Sequence, residues 1–515
     1  MNRSAGVLLA ISSLPSEYGI GCFDQAAYDF VDWLAQAGQT YWQILPLGPT
    51  SCGPSGDSPY QAYSAFAGNP YFISLQELVK EGWLMSEELE TADLVSEAGK
   101  VDYDKLHTER YRLLRLAYER SGINDRREYH TFLNENDWWL DDYALFMALK
   151  SFFGEDKFWF DWPEDIRMCW GFALDYYNEK LYFDIEFQKF MQYEFYRQWQ
   201  ALKAYANRKH IQIVGDIPIY VSLDSADVWS HRELFQLNEK GFPTDISGCP
   251  PDAFAADGQI WGNPLYRWEY HKATDYSWWT SRMWNSFRLY DVVRIDHFRG
   301  FDEYFSIPAD AKTALKGHWE KGPNMDLFRS IEAHLGKHTI IAEDLGLMTD
   351  TVRLMVKESG FPNMKVLEFG FDLKDVGGAN DYLPHNYGPN CVAYTGTHDN
   401  ETVLGWFTSL SKPERDHIRD YMGDFKTPIR EMNWALIKLV FRTNAFAAII
   451  PIQDYLGLGN DCRMNMPSTV GQNWRWRLTG GETTPVLAER IRKVTTLYGR
   501  LNWANEPGDD GIQAL

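Results

Sequence analysis

The stretch Val292-Val-Arg-Ile-Asp-His-Phe-Arg-Gly300 constrains the fold most, because β-branched residues run directly into a cluster of charge. Charge is costly inside a strand, so the cluster belongs where a strand ends. The same grammar recurs in Ile211-Gln-Ile-Val-Gly-Asp216, Thr339-Ile-Ile-Ala-Glu-Asp344 and Cys391-Val-Ala-Tyr-Thr-Gly-Thr-His-Asp399. A single step of this kind is compatible with a plain helix N-cap after a buried strand. Four, with helical patterns between them, predict parallel βα units whose carboxyl ends share one mouth: an α/β fold of the (β/α)8, or TIM, barrel type.

Read along the chain, residues 6–11 form a first strand, 23–37 an amphipathic helix closed by Gly38, and 41–47 a second strand. Further strands are expected at 211–216, 292–296, 339–343, 365–371, 391–395 and 445–452, which puts Asp216, Asp296, Glu343 and Asp399 at the ends of strands three, four, five and seven. The chain reads as one catalytic domain, 1–515, with largely helical subdomains inserted on the catalytic face. The insertions are a loop at about 48–74, a helical subdomain at about 75–190 and a lid-bearing subdomain at about 222–283. The longest continuous helical pattern is 181–208. Three Gly and three Pro in residues 248–264 are expected to forbid regular structure there, and Phe254 and Trp261 are too apolar for a purely solvated loop, so the segment reads as a lid.

A net charge of -22 argues against a nucleic-acid footprint and favours a neutral substrate. Aromatic residues make up 16% of the chain, and flat rings with polar tips suit sugar faces. The six cysteines are scattered and form no zinc-ligand pair, so reduced thiols and a cytoplasmic location are expected. The apolar run Val7–Ile11 is too short for a signal peptide, and no stretch approaches the roughly 18 apolar residues of a membrane helix. No acidic calcium loop stands out, and neither metal nor cofactor is expected.

Strands four and five are neighbours, about 4.8 Å apart. Asp296 and Glu343 could therefore reach the roughly 5 to 5.5 Å separation of retaining glycosidases. Arg294, two residues away on the same strand face, should keep Asp296 ionised as nucleophile. Glu343, close to other carboxylates, should hold its proton and act as general acid and then base. Asp399, with His398 beside it, could bind sugar hydroxyls and stabilise an oxocarbenium-like transition state.

Seven blocks in order carry a resemblance: Ser12-Ser-Leu-Pro15, Asp57-Ser-Pro-Tyr-Gln61, Gly215-Asp-Ile-Pro-Ile-Tyr-Val221, Gly258-Gln-Ile-Trp-Gly-Asn-Pro264, Arg294-Ile-Asp-His-Phe-Arg-Gly300, Ala342-Glu-Asp-Leu-Gly346 and Gly396-Thr-His-Asp-Asn-Glu401. They resemble the signature blocks of the 4-α-glucanotransferases, or amylomaltases, distant relatives of the α-amylases. The resemblance implies a (β/α)8 barrel, a retaining mechanism without a cofactor, and transfer of α-1,4-glucan segments to another glucan or to glucose. It implies Asp296 as nucleophile, Glu343 as acid/base and Asp399 as transition-state stabiliser. It further implies that Tyr60, Asp216, Asp252, Phe254, Gln259, Trp261, Arg294, His297, His398 and Asn465 line the sugar subsites. Ala253, Ala255, Ala256 and Ser468 depart from the family pattern, which bears on acceptor preference and product size. A monomer or small homo-oligomer is expected, with no nucleic-acid or membrane partner.

Overall fold

In the computed structural model, residues 3–51, 56–251, 257–346, 348–374 and 378–505 are described. Twelve strands follow in chain order: β1 (Ser4–Leu8), β2 (Tyr41–Gln43), β3 (Gln212–Pro218), β4 (Asp245–Cys249), β5 (Gln259–Pro264), β6 (Val292–Asp296), β7 (Glu303–Pro308), β8 (His318–Lys321), β9 (Ile340–Ala342), β10 (Asn363–Val366), β11 (Cys391–Tyr394) and β12 (Ala447–Pro451). Eight of them close a barrel in the order β1-β12-β11-β10-β9-β6-β3-β2, and every pairing is parallel.

Barrel strands are buried on both faces, which is why they read as nearly unbroken apolar runs. The two-residue alternation then sorts each strand between two cores. Ala5, Val7, Ile213, Val293, Ile295, Ala393 and Ile450 pack outward under the helices. Leu8, Val214, Val292, Ile341, Met364, Val392, Tyr394 and Ile449 fill the barrel. The inward face continues upward from Val292 to Arg294 and Asp296, from Val214 to Asp216, and from Ile341 to Glu343. The polar cluster therefore caps an apolar plug.

Several observed elements are shorter than expected. The first helix runs Gln25–Gln36, with the Asp24 carboxylate accepting the Ala26 N–H as N-cap. β2 stops at Gln43, and β10 ends at Val366, where a 3-10 turn takes over. Asp216 lies inside β3 rather than at its end, because Ile217 and Pro218 still pair with Ile295 and Asp296. The helix Tyr182–Arg208 is not longest alone: Arg127–Phe153 matches it at 27 residues. The charged, mixed face of Arg127–Phe153 hid that continuity from a periodicity reading.

The largest correction concerns the segment expected to be irregular. β4 and β5 pair as an antiparallel hairpin, and β7 and β8 extend it to a four-stranded sheet ordered β5-β4-β7-β8. The glycines and prolines sit where strands tolerate them. Gly248 adjoins a register shift, where an added Cβ would stand 2.2 Å from the Gln259 carbonyl oxygen. Pro250 and Pro251 follow the end of β4, and Pro264 closes β5. Two strands of this sheet come from residues 303–321, beyond the 222–283 segment.

The long loop after β2 is held by the helix Tyr182–Arg208. Gln192 accepts the Gly68 N–H at 2.7 Å and donates to its carbonyl at 2.9 Å, Tyr196 donates to the Phe66 carbonyl at 2.5 Å, and Gln198 accepts the Ser74 N–H at 2.7 Å. These bonds satisfy backbone groups that a buried loop would otherwise leave unpaired. Among the described residues no helix is long and apolar enough to cross a membrane.

Gly215 sits beside the polar cap, and a Cβ there would stand 2.1 Å from the Tyr290 ring. Overpacking of this kind costs about 1–3 kcal/mol or more. Gly215→Ala is expected to lower the unfolding free energy by at least that amount in urea denaturation.

Candidate active site

Arg294 organises the cap of the barrel. Its guanidinium is 2% exposed and donates through Nη1 to Asp216 Oδ2 at 2.5 Å, through Nη2 to Asp296 Oδ1 at 2.8 Å, and through Nε to Met364 Sδ at 3.3 Å. Asp216 is fully buried, so this cation neutralises a carboxylate that water cannot reach. The remaining donor on Asp216 Oδ2 is the Tyr60 hydroxyl at 2.8 Å, which also lies 2.8 Å from His398 Nε2. The Tyr60 and His398 rings stack with centroids 5.2 Å apart. A chain of contacts thus runs from the loop after β2, through β3 and β6, to the segment after β11.

Register puts the two candidate reacting carboxylates side by side. Ile295 of β6 pairs with Ala342 of β9, so Asp296 and Glu343 occupy the next position up on adjacent strands. Both Glu343 oxygens are held by backbone: Oε2 accepts the His297 N–H and Oε1 the Leu345 N–H, each at 2.6 Å. To aim its N–H there, His297 takes a left-handed conformation, φ 52°. For a residue with a Cβ this costs energy, and such outliers gather at functional sites.

Burial raises both carboxyls, but unequally. Glu343, 8% exposed, is pushed by desolvation and then by the Asp296 charge to about 8, against the pull of Arg294 and the two amides. Asp296 is raised by desolvation only to about 6, because Arg294 opposes it directly. Its side chain also keeps 29% exposure to the cleft, so it ionises first. Near neutrality the pair is therefore a carboxylate beside a carboxylic acid. That division of protons is what a nucleophile and a general acid require.

A cleft of about 810 Å³ lies above this pair. Asp296 and seven other residues expected at the site line it: Tyr60, Gln259, Trp261, His297, His398, Asp399 and Asn465. Asp399 Oδ1 accepts from Asn465 Nδ2 at 2.7 Å, its carbonyl accepts from Arg463 at 2.9 Å, and its Oδ2 is 3.4 Å from His398 Nε2. Gln259 and Trp261 reach the cleft from β5, where the Trp261 indole N–H donates to Gln259 Oε1 at 3.2 Å. Trp261 also meets His297 edge to face, centroids 4.8 Å apart. Burial holds that imidazole down at about 3, hence neutral. Arg294 and Asp216 lie beneath Asp296, and Glu343, 8% exposed, sits beside it at the next position on the adjacent strand. Asp252 and Phe254 lie outside the described residues.

Trp474 is a cleft residue that was not expected. It tilts against both Tyr60 and His398, at 5.8 and 5.9 Å, and its backbone N–H donates to the Met464 carbonyl. A tryptophan in the polar, turn-rich Asn473-Trp-Arg-Trp-Arg477 was the available signal. The amide clamp on Glu343 had none, because backbone donors carry no residue signature. Among the described residues, no group of three or more His, Cys, Asp or Glu is arranged to hold a metal ion.

Comparison with known proteins places the chain in a family. A family model described as 4-alpha-glucanotransferase matches residues 9–483. The 4-alpha-glucanotransferase of Clostridium butyricum is 47% identical over 495 residues, covering 95% of this chain and 99% of that protein. That of Thermus thermophilus is 43% identical, covering 97% and 99%. An amylomaltase from Streptococcus agalactiae, solved in complex with acarbose, superposes with a TM-score of 0.93 at 40% identity, over 97% of this chain and all of that one. By the extent and the order of these matches, the chain belongs to the 4-alpha-glucanotransferase family.

Proposed function

We propose that the protein transfers α-1,4-glucan segments from a maltodextrin donor to a second glucan or to glucose, through a covalent glycosyl-enzyme formed on Asp296. The observation that carries this reading is the pairing of Asp296 and Glu343 at adjacent register positions with unequal proton affinities. In the first displacement an Asp296 oxygen attacks the anomeric carbon, the bond to the leaving O4 breaks, and the Glu343 proton passes to that oxygen. In the second, Glu343 takes the proton of an acceptor 4-hydroxyl, the new glycosidic bond forms at the same carbon, and Asp296 is released. Two inversions restore the α configuration.

Arg294 and Asp216 act as positioning residues beneath the nucleophile. Asp399, held by Asn465 and Arg463, lines the same cleft and stabilises the positive charge that develops on the sugar ring. Tyr60 and His398, stacked on each other, and Trp474, tilted against both, supply aromatic surface for the sugar. Trp261, beside His297, screens the intermediate on the acceptor side, which favours a sugar hydroxyl over water. The same reading takes the enzyme as cytoplasmic, a monomer or small homo-oligomer, and independent of any cofactor.

Incubation with maltotriose is expected to yield glucose together with longer maltodextrins. Asp296→Asn should lower that turnover by at least about a thousandfold without loss of folding. A rise in reducing ends without chain lengthening would instead mark a hydrolase. The pH profile follows from the two carboxyls. Asp296 must be ionised, so kcat/KM should rise as pH passes about 6. Glu343 must hold its proton, so kcat/KM should fall as pH passes about 8. A profile still climbing at pH 9 would contradict the assignment of Glu343 as the acid.

A further inference from the structure

A second concave site lies outside the active cleft and shares none of its lining residues. It is a pocket of about 240 Å³ between the helix Arg127–Phe153, the segment 226–234 and the helices Trp268–Ala273 and Ser277–Leu289. That volume is below the roughly 300–1,000 Å³ of sites for drug-sized ligands, and suits one or two sugar rings. Trp138, 39% exposed, and Tyr270, 37% exposed, stand at its walls. Trp138 is braced edge to face on Phe66, centroids 4.8 Å apart, so its plane is fixed.

The polar groups converge on the same space. His231 stands between two carboxylates, with Nε2 3.8 Å from Asp142 and Nδ1 3.5 Å from Glu233, a contact that raises its proton affinity. Hydroxyls of Ser230, Ser277 and Ser281 add further lining. Trp278, only 8% exposed, lines the pocket too, and its indole N–H has no acceptor among the described residues. Flat rings, hydroxyls and carboxylates able to accept from sugar hydroxyls match a neutral polyol. They fit poorly with an anion, which the chain's charge of -22 also repels.

The pocket lies close to the chemistry along the chain. Tyr60 lines the cleft and Ser64 lines the pocket. Four residues span at most about 14 Å, so one glucan could touch both.

We infer that this pocket is an auxiliary binding site for a glucosyl segment of a long α-1,4-glucan, holding the polymer while its end occupies the cleft. The inference rests on the glucan-transfer reading above. Its test uses soluble starch as the probe, in native gels, with Asp296→Asn as the background so that the gel is not rearranged. Trp138→Ala and Tyr270→Ala in that background should each weaken starch retardation about three- to tenfold. The same substitutions in the active enzyme should leave kcat/KM for maltotriose within about twofold, because neither residue lines the cleft that holds the short donor. Unchanged retardation in both variants would overturn the inference, as would equal losses of retardation and maltotriose turnover. Should Trp138→Ala not fold, Tyr270→Ala and the exposed Asp142→Asn decide by the same criteria. Absence of transfer in the unsubstituted enzyme would count against the function itself, whatever the gels show.

Discussion

One guanidinium held between two carboxylates underlies the rest of the site. Arg294 lies at the boundary between the apolar plug of the barrel and the open cleft, with Asp216 fully buried on one side and Asp296, its side chain 29% exposed, on the other. Removing one member of a buried pair typically costs about 3–5 kcal/mol, because the partner charge is left uncompensated. The arrangement is therefore an expensive one for the fold. What it gives in return is a nucleophile whose charge is fixed in place and whose proton affinity stays below that of Glu343.

Glu343 reaches the opposite proton state by different means. It sits deeper, meets the charge of Asp296, and is gripped by two backbone amides, one of them from a left-handed His297. The amides alone would favour the anion, and burial outweighs them. The grip sets direction more than charge, keeping the carboxyl aimed while its proton comes and goes. Strain at His297 is then the local cost of orienting the acid.

The barrel and its carboxylates were legible in the sequence because strands buried on both faces leave an unbroken apolar signature, and because charge gathers toward their open ends, although Asp216, paired with Arg294, sits inside β3. Val292 to Asp296 shows both effects in five residues. Strand lengths were less legible, since the apolar run Ile44–Leu47 continues beyond β2 into a loop that is just as buried, and Leu367 and Phe371 stay buried in a 3-10 turn that exposes Phe369. The β4–β5 hairpin was misread because glycine and proline content was weighed without position: Gly248 at a register shift and Pro264 at a strand end break nothing. Trp474 escaped because its role depends on two rings more than 70 residues away, Tyr60 and His398, and no local pattern encodes that meeting.

The central claim is that Asp296, and no other group, takes the glucosyl unit. It is tested most directly by mass spectrometry of the Glu343→Gln variant after rapid quenching with α-glucosyl fluoride, a donor whose leaving group needs no protonation. The account predicts one added anhydroglucose residue per chain, located on the peptide carrying Asp296 and absent when Asp296→Asn is combined with Glu343→Gln. An adduct on another residue, or turnover of the fluoride in the doubly substituted enzyme at the rate of the single variant, would contradict it.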